Sequence, residues 1–171
     1  MATQYRTFAL LLLVSGLGLT ACGQFLPTTE GETLAGQRMI LAEALRGQTT
    51  VLIMGFSRDS GTEGDHWAAA LAADPALKDL PVYRAAMLEA APGFVRSLVK
   101  SALRRQLSAA EQQHYVILER DESLWRNHFA VTSDKDPYLL LMDPGGKILW
   151  RGHGAAHDLE AQMRTCFIEK K

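Results

Sequence analysis

The sequence predicts an α/β sandwich: a central mixed sheet of about five strands flanked by helices. Three observations predict it. Short apolar runs of strand length alternate with amphipathic stretches of helical length. One run, Thr49 to Phe56, is apolar and nearly unbroken, as in a strand buried on both faces. The chain then closes on two apolar runs joined by Asp143-Pro144-Gly145-Gly146, followed by a helical stretch. The composition agrees. With 47% hydrophobic and 22% charged residues over 171 positions, the chain is globular, which excludes collagen and bulk disorder. A net charge of −1 argues against a dedicated nucleic-acid binder. Two cysteines are too few for a disulfide scaffold, so their positions matter more than their number.

Met1 to Ala21 reads as a processing segment rather than fold. Arg6 supplies a positive start, and Phe8 to Leu19 is apolar apart from Ser15, Gly16 and Gly18. That run is about 12 residues, short of the roughly 20 that span a bilayer as a helix. It ends in Leu19-Thr20-Ala21-Cys22, which resembles the bacterial lipobox. That resemblance implies acylation of Cys22, which becomes the mature N-terminus, and attachment to a membrane of the bacterial envelope facing the periplasm or exterior. Residues 22–32 then read as a tether and 33–171 as the folded domain. The remaining length, about 150 residues, buries enough surface for a core without disulfides.

Within the domain, Thr33 to Leu41 predicts a short strand or hairpin turning at Ala35-Gly36, and Leu41 to Leu45 a helical turn stopped by Arg46-Gly47. Thr49 to Phe56 is the buried strand. Ser57 to Gly64, polar with two glycines, predicts a loop; Asp65 to Ala73 predicts a helix capped by Thr62 or Asp65 and ended by Asp74-Pro75. Val82 to Leu88 is a strand, and Pro92 to Leu107 a helix with proline where a first turn tolerates it. Tyr115 to Leu118 is a strand and Glu122 to Phe129 a helix. Tyr138 to Met142 and Lys147 to Arg151 form the closing hairpin, and Ala156 to Ile168 the last helix.

Thr33-Leu34-Ala35-Gly36-Gln37, Leu41 to Gly47, and Thr50 to Ser57 resemble the opening of thioredoxin-like proteins of the extracytoplasmic, peroxiredoxin-related type. Asp136-Pro137-Tyr138 through Gly145-Gly146-Lys147 resembles their second half, where a cis-proline precedes a strand at the place Pro137 takes here. The resemblance covers roughly residues 33 to 168 and implies the thioredoxin-like sandwich. Redox members carry Cys-x-x-Cys where the helix dipole lowers the thiol pKa. This chain has Ser57-Arg58-Asp59-Ser60-Gly61-Thr62-Glu63-Gly64 instead, so thiol–disulfide exchange at that place is excluded. Gly55-Phe56-Ser57 with Trp67, Pro81-Val82-Tyr83, Pro92-Gly93-Phe94-Val95 and Asp136-Pro137-Tyr138 are similar to the mitochondrial ATP synthase assembly factor family called ATP-ten and its bacterial relatives. That resemblance implies a non-catalytic protein that holds or escorts a membrane partner.

The expected partner surface surrounds the vacant redox position: Arg58, Asp59, Ser60, Glu63, His66, Trp67 and Pro137. On the Pro92 to Leu107 helix, Arg96, Lys100 and Arg104 recur every fourth residue, with Arg105 beside them and apolar residues opposite. This row reads either as a membrane-surface patch assisting the lipid or as an ordinary solvated face. Asp59 or Asp65 with His66 and Ser60 has the elements of a base and nucleophile, but no third member completes it. His153 and His157 are four apart near Asp158, so metal binding is an alternative function. Cys166, the remaining thiol, reads as a small buried hydrophobe, or as the reactive group of a divergent thiol oxidoreductase or peroxidase. Gly145-Gly146 is a turn, and Gly61/Gly64 lacks the Lys-Ser/Thr of a phosphate loop, so no cofactor is expected.

Overall fold

The computed structural model describes residues 25–169. The processing segment and residues 22–24 of the tether, Cys22 among them, therefore lie outside the described residues. Thirteen elements follow one another: β1 Glu30–Thr33, β2 Arg38–Ile40, α1 Leu41–Ala44, β3 Thr50–Gly55, α2 Arg58–Ala73, β4 Val82–Met87, α3 Gly93–Gln106, α4 Ala109–Gln113, β5 Tyr115–Leu118, α5 Glu122–Phe129, β6 Tyr138–Met142, β7 Ile148–His153 and α6 Ala156–Glu169.

All strands join one sheet in the order β2-β1-β5-β4-β3-β6-β7. Strands β3, β4 and β5 are parallel, and the remaining pairs are antiparallel. The count is seven rather than about five because the β1–β2 hairpin extends the sheet beyond β5. Residues 30–32, read above as tether, are the first part of β1. Its sequence, Glu-Gly-Glu-Thr, has poor strand propensity, but close packing explains the glycine. A Cβ on Gly31 would stand 2.5 Å from Val116 Cγ1.

The strand alternation divides the core in two. On one face, Val51, Ile53, Leu139 and Leu141 pack against Trp67, Leu71, Leu77 and Met163, which places α2 and α6 there. On the other, Leu52, Met54, Val116, Leu118 and Leu140 pack against Leu41, Leu45, Trp125 and Phe129 of the α1 and α5 regions. Strand β3 is buried along its whole length, as its apolar run predicted.

Helix α2 begins seven residues earlier than Asp65, so the expected loop is its first two turns. Glycine marks close approach here rather than a break. A Cβ on Gly64 would stand 3.3 Å from Ile53 Cγ2, so the bare residue lets the helix sit close to β3. Helix α4 was not anticipated; Ser108 and Glu111 form a capping box that starts it. No cis peptide bond occurs among the described residues, so Pro137 is trans, unlike the proline of the resembled family. Among the described residues, no helix is long and apolar enough to cross a membrane.

Candidate partner-binding site at the head of the second helix

Parallel strands place their following turns at one end of the sheet, and the head of α2 lies there beside the segment that leads into β6. Ser57, in extended conformation, is the N-cap. Its Oγ accepts from Ser60 N at 3.2 Å and donates to Asp134 O at 2.6 Å, tying α2 to the segment before β6. Ser60 is buried. Its Oγ accepts from Phe56 N and Ser57 N, both at 2.9 Å, and donates to Ser57 O at 3.0 Å. The two hydroxyls are 3.3 Å apart. Both are fully engaged in the reciprocal cap of the helix.

A second set of groups, not foreseen from the sequence, fixes the adjoining segment. Arg126 bonds both Asp134 oxygens at 2.6 and 3.0 Å and Glu122 Oε1 at 2.7 Å. Its guanidinium also lies 5.0 Å from the centre of the Phe56 ring. The Arg126 hydrogen bond holds the Asp134 carboxyl below the usual carboxylate range. Glu122 and Arg126 are four apart on one helix, which was the available signal.

The seven expected site residues divide. Arg58, Asp59 and His66 are exposed, whereas Pro137 is buried and offers a partner no open surface, against its place in the expected set. Glu63 is committed: one oxygen meets His66 Nδ1 at 2.9 Å and the other accepts from Ala156 N, at the start of α6, at 3.2 Å. The His66 hydrogen bond holds its pKa low. Trp67 and Ser60 cannot contact a partner. Trp67 is fully buried, and its Nε1 donates to Gly154 O at 2.8 Å. Burying a large aromatic while bonding its one donor is the ordinary role of a core tryptophan. The base-and-nucleophile arrangement is also absent. His66 pairs with Glu63, Asp65 with Arg84, and Ser60 with backbone groups.

Residues 23–169 match the ATP10 protein family. The chain belongs to the ATP10 protein family. No curated protein matches it. Among solved structures, it is similar to BsSco, described as a member of the Sco family of cytochrome c oxidase assembly proteins. The identity is 15%, the coverage 85% of this chain and 95% of that one, and the TM-score 0.56. A putative thiol:disulfide interchange protein DsbE from Chlorobium tepidum is 17% identical, with 85% and 96% covered and a TM-score of 0.56. The pneumococcal exposed lipoprotein thioredoxin Etrx1 from Streptococcus pneumoniae is 18% identical, with 80% and 96% covered and a TM-score of 0.52. These likenesses show that this ATP10-family chain has the thioredoxin-like α/β fold.

The basic row of α3 divides: Arg96 and Lys100 are half-buried against the body of the domain, while Arg104 and Arg105 are exposed. Lys100 Nζ lies 2.6 Å from Glu119 Oε1, and Arg96 Nη1 lies 3.3 Å from Glu119 Oε2. Arg96 also donates to Ala91 O and Glu89 O, and Arg104 Nε to Leu34 O at 2.8 Å. The hydrogen bond from Lys100 is the main cause of a lowered Glu119 pKa. Glu119 and Glu32, at the β5 and β1 side of the domain, attract the row; of the four cations Arg105 alone is without a polar partner among the described residues. Phe94 and Leu98 are correspondingly outside, 76% and 65% exposed.

His153 is the last residue of β7. Its Nδ1 lies 3.4 Å from Asp136 Oδ2, and its ring stacks on Tyr138. His157 is in α6. Among the described residues, no group of three metal-ligating side chains comes together. Cys166 is half-buried, and its Sγ donates to Leu149 O at 3.4 Å.

Proposed function

We propose that this ATP10-family chain is a redox-inactive binding protein that serves as an assembly factor or chaperone for a membrane or envelope partner. The observation that carries this reading is the chemistry at the head of α2. Two serine hydroxyls stand three residues apart where redox relatives of the fold place thiols, and both are spent on capping the helix. A hydroxyl has no redox couple there, while Arg58, Asp59 and His66 leave a polar surface open to a protein. Membership of the ATP10 family, and the assembly role of the Sco family to which the similar BsSco structure belongs, support the direction of the proposal. The Leu19-Thr20-Ala21-Cys22 pattern supports attachment through a lipid on Cys22, within the bacterial envelope and facing the periplasm or exterior.

The test is photo-crosslinking in membranes from a crosslinker placed at Asp59 or His66. Recovery of one membrane protein above the level seen from an exposed control site on α6 supports the reading; recovery of none overturns it. For the anchor, Cys22→Ala abolishes incorporation of labelled palmitate, and persistent labelling refutes lipidation at that residue.

A further inference from the structure

Helix α3 has no fully buried residue, although half of its circumference is apolar. Val95, Val99 and Leu103, spaced by fours, line one wall of a cleft of about 490 Å³. The head of α2 forms the opposite wall, and Phe56, Leu88 and Tyr115 complete the apolar lining. The salt bridges of Arg96 and Lys100 hold α3 by its other edge, so the cleft is not closed by packing. Phe94 and Leu98 continue the same apolar stripe onto the outer surface.

Two features define what fits. The charges at the cleft are unequal. Asp65 is neutralised by Arg84, whose guanidinium also lies over the Tyr115 ring, whereas the Arg58 guanidinium has no polar partner among the described residues. The net unpaired charge is one cation. Second, the floor strands offer no free edge. Strand β4 is paired with β3 and β5, and β5 with β4 and β1. A buried polypeptide needs partners for its own N–H and C=O groups and finds no strand ladder there. An aliphatic chain needs none, and the cleft volume lies in the range of small-molecule sites.

We propose that this cleft binds a single long aliphatic chain carrying an anionic head, such as a fatty-acid carboxylate, with the tail along Val95, Val99 and Leu103 and the head at Arg58. The site adjoins the proposed protein-binding surface and shares Arg58 with it, but the apolar walls that would hold the tail lie outside that surface, and occupancy of the cleft does not depend on the proposed assembly role.

The test uses isolated membranes carrying the full chain, irradiated with photoreactive palmitate, photoreactive hexadecanol or a photoreactive apolar peptide, with labelled residues mapped by mass spectrometry. Palmitate labels residues lining the cleft, and excess unlabelled palmitate competes. Arg58→Ala, an exposed change, lowers palmitate labelling by about tenfold, the scale of one charge-assisted hydrogen bond, and leaves hexadecanol labelling unchanged. Val99→Trp, checked for native circular dichroism, removes labelling by both. Three results overturn the proposal: palmitate labelling confined to other residues, labelling indifferent to Arg58→Ala, or cleft labelling by the peptide and not by palmitate.

Discussion

Helices α2 and α3 lie on the same side of the sheet and are fastened to it by different forces. Helix α2 buries Ser60, Gly64, Trp67 and Leu71, and a reciprocal serine cap closes its first turn. Helix α3 buries no residue fully and is attached through cations and carboxylates at its edge. Its sequence is the more clearly amphipathic of the two, yet its apolar stripe remains partly in solvent and in a cleft. Amphipathic pattern therefore identifies a helix without saying which side it turns to the body. Carboxylates on neighbouring strands can draw the charged edge inward.

The contrast gives graded expectations. Trp67→Ala, which empties the centre of the α2 packing, destabilises the fold by about 3–5 kcal/mol in urea denaturation. Leu98→Ala, on the outer side of α3, changes stability by less than about 0.5 kcal/mol. Equal losses at the two positions would dissolve the distinction.

Buried and surface ionisable groups extend the comparison. His128 is buried among Trp125 and Phe129, and its Nε2 has no hydrogen-bond partner among the described residues. Burial, then the charge of Arg151, pushes its pKa from 6.5 down to about 4. An unfolded histidine takes up its proton near pH 6.5, while folded His128 does so only near 4. The unfolded state thus binds more protons in this window. Stability is full above the upper value and falls as pH drops toward the lower one, by about 3 kcal/mol across the shift. His128→Leu flattens that part of the stability–pH curve, and an unchanged acid slope counts against the assignment.

Ser60→Ala leaves two amides at the head of α2 without their acceptor and costs about 2 kcal/mol in thermal or urea unfolding. A smaller effect than these belongs to the surface ion pairs of Glu119. Glu119→Gln lowers stability by at most about 1 kcal/mol at low salt, and the difference shrinks as ionic strength rises. Native-state hydrogen exchange sharpens the same point, since amides of α3 exchange through lower-energy openings than those of α2.

Much of the fold was legible in local pattern. Strands β3 and β6 are apolar runs, α5 has the expected bounds, and the turn Asp143 to Gly146 follows from its residues. What was not legible depended on contacts distant in sequence. The first turns of α2 look like a loop because Gly61 and Gly64 are read for flexibility, whereas Gly64 admits Ile53. Strand β1 contains a glycine for the sake of Val116 and Leu118. Trp67 looked available to a partner because its hydrogen-bond acceptor, Gly154 O, lies 87 positions away. At the site, the missing thiols were visible in Ser57 to Gly64, but the bonds of Ser57 and Arg126 to Asp134 were not.

The central claim is that this protein, with a serine-capped helix head in place of a thiol pair, is redox-inactive. Insulin reduction by the purified protein with dithiothreitol tests it most directly. The expected rate is that of dithiothreitol alone, unchanged in Ser57→Ala and Cys166→Ser; turnover above that rate that disappears in Cys166→Ser contradicts the account.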